Sequence, residues 1–260
     1  MDVVMAGTRT EAVTQQLDAC QEGLLLAFRC LFRSADPAPP CPSPLALGAG
    51  DVVVVVSGSD RGSPQTRNAV LDSAANAGVT VIDDSPGSLP VNRRAGRVSL
   101  VIATHHSVAS AAQHRAMSCH APVLLPDSRC TAPGPLRLWL RPVPTLVLTG
   151  PDRQLQIILR DLHLRGVLPA VPDEEHPALI EVFARPSENG LLLGVTGGIG
   201  AAVSFCSGPR TVRIPAPATA TVDGVTQTVM PGTYRIALAQ PPLYRLHAEP
   251  VPRPETGRIR

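Results

Sequence analysis

"VPTLVLTGPDRQLQIILRDLHLRGVLPAV", residues 143–171, decides how this chain is read. An apolar run ends in Leu-Thr-Gly, a mixed polar and apolar segment follows, and a second short apolar run ends in Pro-Ala. Read as an amphipathic helix at about 152–164 between strands at 145–149 and 166–170, the stretch is one repeat of a parallel α/β sheet. Its neighbours extend the same alternation in both directions.

Upstream, "DVVVVV" (51–56) is a fully apolar strand. "SPQTRNAVLDSAANAG" after it reads as a helix capped by Ser63 with Pro64 in its first turn. Strands follow at 79–83, 98–103 and 122–125, with a helix from Ser107 to about Ser118. A helix near 174–185 closes the run. The segment 128–142 interrupts it, and "LRLWL" within it reads as an extra strand. Uninterrupted apolar strands separated by helices indicate strands buried on both faces. The expected fold class is therefore α/β: a doubly wound, mainly parallel sheet of Rossmann or flavodoxin type, with an N-terminal helix and a small C-terminal β region.

The flanks complete the expected organisation. Residues 1–33 carry an amphipathic helix from about 10, whose apolar positions include Leu17, Leu24, Phe28 and Leu31. Such a face docks on the chain's own core or pairs with a second copy. A Pro-rich linker follows at 34–50, then the α/β domain at 51–188. The small β region spans 189–250, with Asp223-Gly224 as its expected hairpin turn, and a tail occupies 251–260.

Composition narrows the chemistry. All 23 basic residues are arginine, so neither a lysine Schiff base nor a lysine phosphate clamp is available. A net charge of +2 with scattered arginines gives no footprint for nucleic acid. No apolar run reaches the length of a membrane span, and the first residues lack the pattern of a secretory signal. Six scattered cysteines read as reduced thiols, and the expected compartment is the cytoplasm. His105, His106, His114, Cys119, His120 and Cys130 crowd together, but their spacing matches no closed metal site. No metal or other cofactor is expected.

Two resemblances bear on function. "TLVLT…GVLP…ALIEVFARPSENG" resembles the second half of the receiver domains of bacterial response regulators, and "APVLLPDSR" resembles the strand that presents their phosphoacceptor. The resemblance implies that Asp127, Thr149 and Ala170 occupy the phosphoacceptor, threonine and lysine positions. With alanine at the lysine position and no acidic pair in place, it implies a degenerate receiver incompetent for phosphotransfer. The expected function is then a non-catalytic regulatory or protein-interaction module, binding a protein partner or a second copy of itself. "VVVVVSGSDRGSPQTRNAV" offers a possible ligand-binding turn at Ser57, Gly58, Ser59 and Asp60. With "VDGVTQTVMPGTYRIAL", it is faintly similar to the diacylglycerol and NAD kinase superfamily. That alternative implies a divergent lipid or nucleotide kinase using Gly58, Asp60 and Asp223.

Overall fold

The computed structural model describes residues 19–32, 44–60, 62–84, 97–126, 136–152, 155–167, 180–188, 190–197 and 200–251. The chain forms two compact units, one from residues 1–141 and 244–260 and the other from 142–243. The α/β domain expected at 51–188 is split between these two units.

The first unit starts with helix α1 (residues 19–29). Strand β1 (Val52–Val56), helix α2 (Ser63–Asn76) and strand β2 (Thr80–Asp83) follow. Then come β3 (Val98–Ala103), a 3-10 turn at His106–Val108, helix α3 (Ala109–Cys119), β4 (Val123–Leu124) and β5 (Leu136–Val143). The last strand of the chain, β16 (Leu243–Pro250), returns to this sheet and lies parallel to β4. The strand order is β2-β1-β3-β4-β16-β5, and β1 runs parallel to both β2 and β3.

An all-valine β1 is buried because both of its faces are covered. Val53 and Val55 join Leu100, Ile102, Val70 and Ala74 in one cluster with Leu24, Phe28 and Leu31 of the N-terminal segment. The opposite face carries Val54 and Val101, and α3 covers it through the fully buried Ala112 and Ala116. Each such valine contributes about 1.5–3 kcal/mol of burial, as an upper estimate. The end of the expected linker also takes part: Leu47 is fully buried, and its amide donates to Leu31 O at 2.7 Å.

Among the described residues, the strands of the second unit pair antiparallel throughout. One sheet holds β6 (Leu146–Thr149), β7 (Leu155–Ile158), β12 (Arg210–Ile214) and β15 (Gly232–Leu238), in the order β12-β15-β6-β7. The other holds β8 (Leu162–Val167), β9 (Ile180–Ser187), β10 (Gly190–Gly197), β11 (Gly200–Cys206), β13 (Ala218–Val222) and β14 (Val225–Val229). Their order is β11-β10-β9-β8-β13-β14. Leu146, Leu148 and Ile236 of the first sheet share a core with Leu162, Leu164 and Ala220 of the second. The Asp223-Gly224 turn forms as the pair predicts, with φ of +51 and +86.

The expected fold class is corrected by these sheets. The chain is mainly β, with three sheets, two of them entirely antiparallel, and not a doubly wound parallel α/β fold throughout. The decisive stretch contains no helix over its described residues: 155–158 and 162–167 are the strands β7 and β8, and 180–187 is β9. Leu162 and Leu164 alternate toward the core with His163 and Arg165 between them, a period of two. Ile157 and Ile158 are β-branched, and both favour the pleated form. The Ser63 cap is corrected as well. Gly62, at φ +87, occupies the cap position, and Ser63 is the first helical residue.

Candidate functional site

In a parallel sheet, the strand order reverses where consecutive connections leave on opposite sides, and a crevice opens there at the carboxyl ends of the strands. Here that point lies between β1 and β3: the chain passes from β1 through α2 to β2, then crosses to β3 on the other side. The exits are Ser57-Gly58-Ser59-Asp60 from β1 and Thr104-His105-His106-Ser107 from β3.

Buried polar side chains gather at this edge of the sheet. Among the described residues five polar side chains are buried, and four of them, Ser57, Ser63, Thr66 and Thr104, belong to these exits and the first turn of α2. Burying a hydroxyl is costly unless it is hydrogen-bonded, and the bonds are present. The Gly58 amide donates to Ser63 Oγ at 3.1 Å, Ser63 Oγ lies 2.5 Å from Thr104 Oγ1, and Thr66 Oγ1 donates to Gly62 O at 3.0 Å. Ser63 thereby ties the two strand exits together.

A second layer at this edge is more exposed. The Ser107 hydroxyl donates to Asp60 Oδ2, and the Ser107 amide donates to His105 Nδ1 at 3.2 Å. His105 Nδ1 is also 3.5 Å from Asp60 Oδ2. With Nδ1 accepting from an amide, the neutral imidazole carries its proton on Nε2. The Ser107 hydroxyl also lies 2.9 Å from His105 Nδ1, so it sits between an imidazole and a carboxylate. The three side chains form one hydrogen-bonded latch between the two strand exits. Asp60 Oδ1 has no hydrogen-bond partner among the described residues.

Two described arginines nearby, Arg67 and Arg115, are committed elsewhere. Arg67 of α2 donates through Nε to Asp83 Oδ2 at 2.9 Å, and Arg115 of α3 pairs with Asp84 at 3.0 Å. The hydrogen bond to Asp83 holds the Arg67 guanidinium above its ordinary value. Asp83 and Asp84, at the end of β2, are therefore neutralised rather than available to a cation.

The remaining expected positions are dispersed. Thr149 ends β6 in the second unit, paired in register with Arg235 and Leu155. Asp127, Ala170 and Leu17 lie outside the described residues, as do Cys41 and Cys130. Leu24, Phe28 and Leu31 are each at most 2% exposed and packed in the first unit's own core. Asp223 is occupied structurally: Oδ1 accepts from the Arg160 amide at 2.7 Å and the Asp161 amide at 3.2 Å, while Oδ2 accepts from the Leu159 amide at 2.9 Å. It caps the β7–β8 turn from 62 to 64 residues away. His105 and Ser107 were not singled out as partners of Asp60 in the sequence, although their place just after a strand end was a usable signal.

Among the described residues no group of three or more His, Cys, Asp or Glu could hold a metal ion. No described helix is long and apolar enough to cross a membrane. No family model matches the chain, and no curated protein matches it.

Proposed function

We propose that the protein is a non-catalytic binding module that holds a small hydroxylated ligand, of nucleoside type, at the β1–β3 crevice. The observation that carries this reading is the concentration of buried, hydrogen-bonded hydroxyls at that one edge. Preorganised polarity at such a switch point orients a ligand at little cost in reorganisation. The ligand's own character follows from Asp60. Its uncommitted oxygen accepts hydrogen bonds from hydroxyls, and its negative charge opposes a phosphate.

Phosphotransfer is disfavoured on the same grounds. Lysine is absent, and the acids at the end of β2 are paired with arginine. One observation favours a second reading, a divergent lipid or nucleotide kinase: an α/β unit is followed by a β unit, the order that the superfamily resemblance implies.

Thermal unfolding with adenosine, with ATP and magnesium, and with acetyl phosphate and magnesium separates the two, because a ligand of the native state raises the melting temperature. A rise with adenosine that Asp60→Asn removes is the expected result. A rise with either phosphate donor and none with adenosine favours the kinase. Inertness to all three overturns both readings.

A further inference from the structure

We propose that a groove in the second unit is a binding site for a small organic cation, independent of the crevice in the first unit. The two sheets of this unit end in the edge strands β7 and β14, and a cavity of about 420 Å3 opens beside them. That volume suits a compact organic molecule. Gln227 Nε2 donates to Gln156 Oε1 at 2.7 Å, tying the two edges together.

The walls are rigid. Gly150 lies against the Tyr234 ring, where an added Cβ would come within 3.2 Å of Cε1. Pro151 is seated on Gly232, where a Cβ would meet its ring at 2.7 Å. The 150–152 turn is thus clamped from both sides, and the groove exists before any ligand arrives. The Tyr234 hydroxyl donates to Met230 O at 2.8 Å, which fixes the ring.

The lining sets the ligand's chemistry. Leu155 and Met230 are 70% and 63% exposed, an apolar rim with nothing described covering it. Thioether and leucine side chains adapt to irregular apolar shapes. Among the described residues that line the groove, Asp152 is the only acidic or basic side chain, and it is exposed. An apolar rim, an aromatic ring and one carboxylate together select a hydrophobic molecule carrying a positive charge.

Titrating the full chain with benzyltrimethylammonium, benzyl alcohol and benzoate, followed by amide NMR shifts at 148–152 and 227–234, tests this. The cation is expected to bind about tenfold more tightly than benzyl alcohol, the sum of an exposed ion pair and a cation–ring contact. Asp152→Asn, at an exposed site and so expected to fold normally, should reduce that preference to about threefold or less. Asp60→Asn should leave it unchanged, so this site and the crevice succeed or fail separately. Absence of cation binding overturns the proposal, as does equal binding of all three probes or a preference that Asp152→Asn leaves undiminished.

Discussion

The chain uses nearly the same words twice and folds them differently. "VSGSDR" (56–61) and "LTGPDR" (148–153) each end an apolar strand in a small hydroxyl residue, a glycine and an Asp-Arg pair. After the first, the chain enters α2 and the strand gains parallel neighbours on both sides. After the second it turns back, and β6 pairs with β7 in the register Thr149↔Leu155. The exits do not decide this. "SPQTRNAVLDSAAN" brings Pro into the first helical turn and then alanines and long unbranched chains, whereas "LQII" brings β-branched residues. The glycines differ too. Gly58 is hemmed in by Asp60 Oδ2 at 2.8 Å and Val108 Cγ1 at 3.0 Å from a Cβ position, while Gly150 meets only the Tyr234 ring, at 3.2 Å.

The second path depends most on Asp223, and the largest effect is expected there. Replacing it by alanine leaves the 159–161 amides without their carboxylate and puts alanine at φ +51. Charge-assisted bonds and an αL position together predict a loss of about 2–4 kcal/mol in urea unfolding. Asp223→Asn keeps one acceptor and tolerates αL, so about half of that loss should remain. If Asp223→Ala is as stable as the native chain, the β7–β8 turn has another cause and the contrast between the two exits must be drawn elsewhere.

Much of the first unit was legible before any coordinates. Strands buried on both faces are written as unbroken apolar runs, so β1 and β3 stand out, and Pro64 marks the start of α2. The β7–β8 segment was not legible for a definite reason. Leu155, Ile158, Leu159 and Leu162 fit a helical face, while Leu162 and Leu164 fit a strand. The ambiguity is resolved by β13, which pairs with β8 and supplies Asp223 from far along the chain. No local pattern announces a cap of that separation. The crevice was half legible: Ser57–Asp60 could be named as a turn, but its partners Thr104 and Ser107 required knowing that β3 lies beside β1.

The two glycines give a middle-sized test that sharpens the contrast. Gly58→Ala forces Asp60 or Val108 to move, and a loss of about 1–2 kcal/mol is expected, with the Asp60–Ser107 bond disturbed. Gly150→Ala asks only for a few tenths of an ångström from Tyr234, and about 0.5–1 kcal/mol is expected. Equal costs would mean that the first exit is no more constrained than the second, which would also weaken the case for a preformed crevice.

The smallest effect concerns Tyr234, whose hydroxyl is held above its ordinary pKa by burial, with the Asp152 charge adding to it. A phenol that ionises later in the folded state than in the unfolded one contributes stability in full below the unfolded value near pH 10, and loses it as the pH climbs through the folded value. Stability of the native chain should therefore fall more steeply from pH 9 to pH 11 than that of Tyr234→Phe. The variant itself should cost about 1 kcal/mol at neutral pH through the lost bond to Met230 O. Parallel alkaline limbs would show the Tyr234 ring to be wetter than its packing against Gly150 implies, and the rigid wall between the second exit and the groove would be lost with it.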